Sequence, residues 1–276
     1  MPELPEVETI MRGLTHHLKD RRVETVMIRQ TQLRWPIPVD LSTQLSQQKI
    51  LKLSRRGKYL LIHFKTGTLI IHLGMSGSLR VLSHEAPPTK HDHVDFILSH
   101  HQLLRYHDPR RFGAILWTNE DPLIHPLIQS IGIEPLDPNF NDLYLYSQTV
   151  KRKLPIKSLI MNSKIVAGIG NIYAAEALFL AKINPTMPSC QLTLEQCNTL
   201  VNSIREIICL AIAAGGTTLK DFVDSSGKPG YFSQKLYVYG RANLPCRVCA
   251  TPLQSIRMGQ RSTVFCKYCQ PVSLSS

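Results

Sequence analysis

Apolar residues near the start of the chain fall at Val7, Ile10, Met11, Leu14 and Leu18, one face of a 3.6-residue period. Pro5 suits a first helical turn, and Glu6 and Glu8 complement its dipole, so an amphipathic helix is predicted there. The pattern then shifts to short strand-like runs broken by turn residues. Arg22–Arg29 reads as one strand and Ile50–Leu82 as three more, with turns at Lys65-Thr66-Gly67 and Gly74–Gly77. Val94–Leu98, Leu103–His107 and Phe112–Trp117 continue the series. Such a meander predicts a β-sandwich or flattened barrel. Between Ile133 and Asn141 the pairs Glu134-Pro135 and Asp137-Pro138 break all periodicity, and a domain boundary is expected there. Helical spacing follows. Thr193 and Gln196 form a capping-box pattern, Cys197, Val201, Ile204, Ile208 and Ala211 make a stripe, and Gly215-Gly216 closes it. Cys197 on that stripe and the nearby Cys209 read as packed thiols, whereas Cys190 has no assignment.

Composition narrows the partner. The 276 residues suffice for two domains, and 32 Lys plus Arg against 20 Asp plus Glu give a formal net charge of +12. That excess favours a polyanion, nucleic acid before membrane. No run approaches the length of a spanning helix, and the first residues carry acids where a secretory signal carries basic and then apolar ones. A soluble, cytoplasmic protein in a reducing compartment is expected. Seven cysteines are an odd number for a disulfide framework. Four of them, Cys246, Cys249, Cys266 and Cys269, follow a C-x2-C-x16-C-x2-C pattern that predicts one structural zinc ion with no open position for catalysis. Arg257, Gln260, Arg261 and Lys267 lie between or beside these pairs, on an expected basic ribbon.

Other stretches carry candidate chemistry. Lys151-Arg152-Lys153 and Lys157 precede Gly168-Ile169-Gly170-Asn171, a glycine turn that feeds a helix expected to end near Pro185 and could seat a phosphate at its N-terminus. Arg55-Arg56-Gly57-Lys58-Tyr59 leads into a strand. Met75, and Arg110 with Phe112, combine apolar wedges with a cation, as a protein needs when it fills the gap left by an extruded nucleotide. The paired histidines His16-His17 and His100-His101 lack a third ligand at metal spacing and read as solvated or hydrogen-bonded. At the N-terminus, removal of Met1 would expose the secondary amine of Pro2 beside the carboxyl of Glu3. An α-amino group has a reference pKa of about 7.7 to 8.0 against about 10.4 for lysine, so the amine can act as a nucleophile near neutrality, with a carboxylic acid at hand.

MPELPEVE, RRGKY, HLGMSG, DPRRF, the Gly-x-Gly-Asn turn and the cysteine pairs together resemble the formamidopyrimidine-DNA glycosylases, and the resemblance runs from Pro2 to Cys269. It implies an α+β protein. Residues 1–133 would form an N-terminal antiparallel β-sandwich with flanking helices, and 134–150 a linker and the start of a helical domain. Residues 151–239 would hold a helix-two-turns-helix element and a lesion-capping loop, Thr217–Tyr239, and 240–276 the zinc-bound hairpin. The implied activity is excision of oxidised purines from duplex DNA, followed by β,δ-elimination at the abasic site. Catalytic residues would be Pro2 as nucleophile, Glu3 as acid, and Lys58 and Arg261 as proton donors of the two eliminations. DNA contacts would be His91, Met75, Arg110 (facing the opposite cytosine), Phe112, Lys151, Lys157 and Asn171. The partner would be double-stranded DNA with oxidised purines or abasic sites, met by a monomer in the cytoplasm, at the nucleoid of a bacterium. Two alternatives share the same features: an endonuclease VIII-like enzyme for oxidised pyrimidines, and a zinc-ribbon DNA binder without enzymatic activity. Leu4 and the Met75, Arg110 and Phe112 set resemble the purine branch.

Overall fold

The computed structural model describes residues 2–216 and 236–272. The expected loop Thr217–Tyr239 lies outside the described residues except at its last four positions. Among the described residues two compact units form, one of residues 2–130 with 214–216, the other of 131–213 with 236–272.

The first unit begins with helix α1 (Leu4–Leu18), which buries Leu4, Val7, Ile10, Leu14 and Leu18 along one face. A capping box opens it: the Glu6 carboxylate accepts from the Glu3 N–H at 2.9 Å, and the Glu3 side chain accepts from the Glu6 backbone. Eight strands follow, β1 (Val23–Ile28), β2 (Lys52–Arg56), β3 (Tyr59–His63), β4 (Thr68–His72), β5 (Ser78–Ser83), β6 (Asp92–Leu98), β7 (Gln102–His107) and β8 (Ala114–Thr118). They make two four-stranded antiparallel sheets, ordered β1-β6-β7-β5 and β2-β3-β4-β8. Ile10 and Leu14 of α1, Leu60 and Ile71 of one sheet and Phe96 and Leu104 of the other share one core.

Ile50–Leu82 therefore holds four strands where the sequence predicts three. The missed break is the two-residue turn Gly57-Lys58, which joins Arg56 to its partner Tyr59. Gly57 takes φ +56 at the first central position, where a type II′ hairpin turn needs a glycine. A five-residue helix, α2 (Leu41–Leu45), is also too short to announce itself by period, although both its leucines are buried. Strand β6 is buried along its whole length, including two aspartates. Burial alone would raise the Asp95 carboxyl, but hydrogen bonds and charge from Arg105 and Arg29 outweigh it and lower it.

In the second unit, α3 (Asp142–Thr149), α4 (Ile156–Ile160), α5 (Asn171–Leu180) and α6 (Leu194–Ala213) precede the hairpin β9 (Gln254–Met258) and β10 (Arg261–Phe265). Both α3 and α5 pack on α6. The predicted capping box holds, with Thr193 N–H donating to Gln196 Oε1 at 3.0 Å and Gln196 N–H to Thr193 Oγ1 at 3.2 Å. Cys197 is buried, but Cys209 is exposed and is not a packed thiol. It follows Ile208 by one residue, about 100° further round the helix, which carries it off the apolar stripe. Helix α5 stops at Leu180, short of Pro185, because Lys182 adopts φ +56 and turns the chain. Among the described residues no helix is long and apolar enough to cross a membrane.

Candidate nucleic-acid interface and metal centre

Pro2 and Glu3 are buried at the head of α1, so the first residues are held by the fold and do not trail from it. One turn further, Glu8 accepts from Arg55 Nε at 2.9 Å, and Arg55 donates to the Gly57 carbonyl at 3.0 Å. That chain of hydrogen bonds ties the helix carrying Glu3 to the hairpin turn carrying Lys58. Lys58 is half-buried at that turn.

Met75, Arg110 and Phe112 come from two loops that the fold brings together around a pocket of about 530 Å³, also lined by Leu33, Arg34 and His72. Met75 is 39 % and Phe112 46 % exposed, so neither side chain belongs to the core. The Arg110 guanidinium lies 4.7 Å from the Phe112 ring centroid, a cation–π contact that holds the charge against the ring. Arg34 and His72 are not among the sequence candidates. Burial, with the charges of Lys58 and Arg34, pulls His72 down to about 4, so it is neutral, and its Nδ1 accepts the Gly74 N–H at 3.1 Å. Nε2 is then the protonated nitrogen, a donor on the wall of a pocket that also holds three arginines. Only the HLGMSG stretch could have signalled it.

His91 is half-buried and meets the rings of His93 and His107 edge-on, with centroids at 6.4 and 5.9 Å. His93 and His107 are hydrogen-bonded within the fold: His93 Nε2 lies 2.7 Å from the Asp108 carbonyl and His107 Nδ1 2.7 Å from Asp92.

A second pocket, of about 270 Å³, is lined in the helical unit by Lys157, Asn171, Gln260, Arg261 and Thr263. Lys157 is only 2 % exposed, and its Nζ donates to Asn171 Oδ1 and Thr263 Oγ1, both at 2.7 Å. Asn171 Nδ2 donates in turn to the Ser262 carbonyl at 3.1 Å, so lysine, helix start and ribbon form one hydrogen-bonded set. Gly170 is the N-cap of α5 and offers no capping side chain. Arg261 opens β10 after the turn Gly259-Gln260, where Gly259 takes φ +58 as Gly57 does in the first unit. The guanidinium is exposed beside the buried ammonium, an arrangement suited to a phosphate. Lys151 is exposed after α3 and does not line this pocket. Lys267 lies beyond β10 in the second cysteine turn, off the ribbon on which the sequence predicts it.

Cys246, Cys249, Cys266 and Cys269 bring their sulfurs within 4.8 Å of one another. Two of the separations are 3.9 and 3.4 Å, close to the ~3.8 Å edge of a tetrahedron built on Zn–S bonds of about 2.3 Å. Hydrogen bonding from Thr251 lowers the Cys249 thiol to about 6, which readies one ligand as a thiolate near neutrality. Burial raises those of Cys266 and Cys269, whose protons an incoming zinc ion would have to displace. The four thiols fit one zinc ion, and among the described residues no fifth metal-binding group joins them.

Known proteins agree with this layout along the whole chain. Family models match in three consecutive pieces: the formamidopyrimidine-DNA glycosylase N-terminal domain over residues 1–115, the H2TH domain of the same glycosylases over 131–223, and a zinc finger found in FPG and IleRS over 243–272. The formamidopyrimidine-DNA glycosylase of Methylococcus capsulatus is 51 % identical over 270 residues, 98 % of this chain and 100 % of that one. A crystal structure of a Lactococcus lactis Fpg variant with Fapy-dG-containing DNA superposes with a TM-score of 0.91 at 32 % identity, covering 98 % and 100 % of the two chains. The complex between Lactococcus lactis Fpg and DNA containing an abasic site gives a TM-score of 0.90, also at 32 % identity, covering 98 % and 99 %.

Proposed function

The chain belongs to the formamidopyrimidine-DNA glycosylase family, and from that premise we propose how its own residues perform the reaction. It is a DNA repair enzyme, a glycosylase with abasic-site lyase activity, that removes 8-oxoguanine and formamidopyrimidines from duplex DNA. With Met1 removed, the Pro2 nitrogen attacks C1′ of the damaged nucleotide. The bond from C1′ to the base breaks, Glu3 protonates the ring oxygen as the sugar opens, and an iminium joins Pro2 to C1′. The iminium acidifies the C2′ proton, whose loss expels the 3′ phosphate. A second elimination expels the 5′ phosphate and leaves a one-nucleotide gap. Lys58 serves as donor in the first elimination and Arg261 in the second.

Binding divides between the two units. In the helical unit Lys157 supplies charge and orients Asn171, while Arg261 presents the exposed guanidinium to backbone phosphate, and Lys151 adds a further cation. In the sandwich unit His91 faces the backbone, Arg110 reads the opposite cytosine, and Met75 and Phe112 fill the vacated stack. All these groups lie on one chain, which supports action as a monomer. A net charge of +12 suits work at the nucleoid in the cytoplasm of a bacterium.

The observation that carries this reading is the pocket where two solvent-exposed apolar side chains, Met75 and Phe112, flank Arg110 and bury no core. Its test uses two substrates. Met75→Ala is expected to slow excision from a duplex by about tenfold or more, while cleavage of a preformed abasic site, where unstacking costs less, changes far less. Equal losses on both substrates would return Met75 to an ordinary packing role.

A further inference from the structure

The catalytic scheme makes no use of Asp108, yet this carboxylate is fully buried between the two loops that carry the wedge. Its Oδ1 accepts from Ser76 Oγ at 2.7 Å, and its Oδ2 accepts from the Gly113 N–H at 2.9 Å and the Tyr106 hydroxyl at 3.2 Å. Ser76, itself 8 % exposed, accepts the Arg110 N–H at 3.2 Å through the same oxygen that it donates to Asp108. One hydroxyl therefore neighbours Met75 in sequence, holds the backbone of Arg110 and is held by Asp108. The Asp108 N–H also donates to the His91 carbonyl at 3.0 Å, which brings the third DNA-facing segment of this unit to the same residue.

Backbone packing closes the loops further. A Cβ on Gly74 would strike the Phe112 main chain, and one on Gly113 would strike the Tyr106 hydroxyl and the His72 carbonyl. At Gly74 the loops thus meet main chain to main chain, and solvent cannot replace a hydrogen bond at their junction without parting them. A buried carboxylate is costly unless its oxygens are occupied, and here each has protein donors.

We propose that Ser76 and Asp108 are positioning residues that lock Met75, Arg110 and Phe112 into a single wedge and so set how the enzyme reads the base opposite the lesion. This rests on the wedge reading of those three side chains. The lock fixes Arg110 through its main chain, so its guanidinium meets the opposite base at one depth. Without the lock the two loops move independently, Met75 inserts without registering Arg110, and cytosine and adenine become less distinct.

Single-turnover excision is measured for Ser76→Ala and Asp108→Asn on duplexes with cytosine or adenine opposite the lesion. Cleavage of a preformed abasic site and thermal unfolding are measured alongside, and Met75→Ala runs in parallel. Ser76→Ala is expected to lose about tenfold in excision opposite cytosine, to bring the cytosine-to-adenine rate ratio toward one, and to keep abasic cleavage within about twofold. Asp108→Asn replaces one acceptor oxygen with an amide NH2 group that cannot accept, so its loss should be larger and in the same direction. Parallel losses on both substrates with an unchanged rate ratio would overturn the proposal by showing a merely structural role. If Met75→Ala shows the selective loss and Ser76→Ala does not, the positioning role alone fails. If Met75→Ala shows none, the wedge reading fails and the positioning role with it.

Discussion

Borohydride reduction of the enzyme on abasic DNA is expected to join the DNA to Pro2 and to no lysine. A secondary amine condenses with C1′ to an iminium, and hydride delivered to that carbon converts it to a stable tertiary amine, so the adduct marks the nucleophile. Lys58 is the competing amine. A lysine has a reference pKa of about 10.4, and each unit by which burial lowers an amine costs about 1.4 kcal/mol, whereas an α-amino group begins at about 7.7 to 8.0. Placement favours Pro2 as well, since it lies buried at the head of α1 directly before Glu3. Keeping Met1, or adding an N-terminal tag, turns the proline nitrogen into an amide whose lone pair is delocalised into the carbonyl, and trapping should vanish altogether. Glu3→Gln should lose base excision most severely while retaining part of the incision at preformed abasic sites, where the base has already left. Peptide mass mapping decides the matter: an adduct on the peptide that contains Lys58 would overturn the assignment.

Much of this molecule is legible in its sequence, and the exceptions share a physical reason. Helix α1 and the Thr193 helix announce themselves because a buried stripe must repeat with the helical period and an N-terminus must satisfy its own N–H groups. The four cysteines are legible for a similar reason, since two tight turns must each aim two sulfurs at one ion. By contrast, the Gly57-Lys58 turn hides inside a run that reads as continuous strand, because two residues are too few to interrupt an alternating pattern. Cys209 is misread because a single residue separates a buried from an exposed helix position. The pocket around Met75 and Phe112 shows a different limit. Met75 and Phe112 are visible as candidates from their motifs, but Arg34 and His72 join them only once the chain has folded, with His72 set by sheet pairing opposite Ala114 and Tyr59. Nothing in the neighbourhood of Asp108 in the chain distinguishes it from a turn-forming aspartate. Its role as a junction exists only once Ser76 and Gly113 have been folded against it.

Removing the metal is expected to disable DNA binding while the β-sandwich stays folded. The C-terminal hairpin has a small core, Cys246, Leu253, Val264 and Cys266, resting on Val238 and on Ala175 and Phe179 of α5. So few apolar side chains cannot by themselves order the segment, whereas structural zinc contributes about 10 to 16 kcal/mol of binding free energy in isolated finger peptides. Stripping the ion releases β10, and β10 holds both Arg261 and Thr263, the latter 2.7 Å from the buried Lys157 ammonium. The pocket of Lys157 and Arg261 is then without a wall, a cation and the hydrogen bond that holds Lys157 in place. Chelation, or Cys249→Ala, should abolish tight binding to lesion-free duplex as well as to damaged DNA. Any residual binding should also depend less steeply on salt, because every phosphate that the protein no longer neutralises takes about 0.9 off the slope of log affinity against log salt. Arg261→Ala should flatten that slope without unfolding the hairpin, which separates the effect of the cation from that of the structure. The sandwich has its own core of α1 and two sheets, so its thermal transition should persist in the metal-free protein. A metal-free sample that bound DNA with unchanged affinity and salt slope would show that the hairpin does not need zinc to place Arg261.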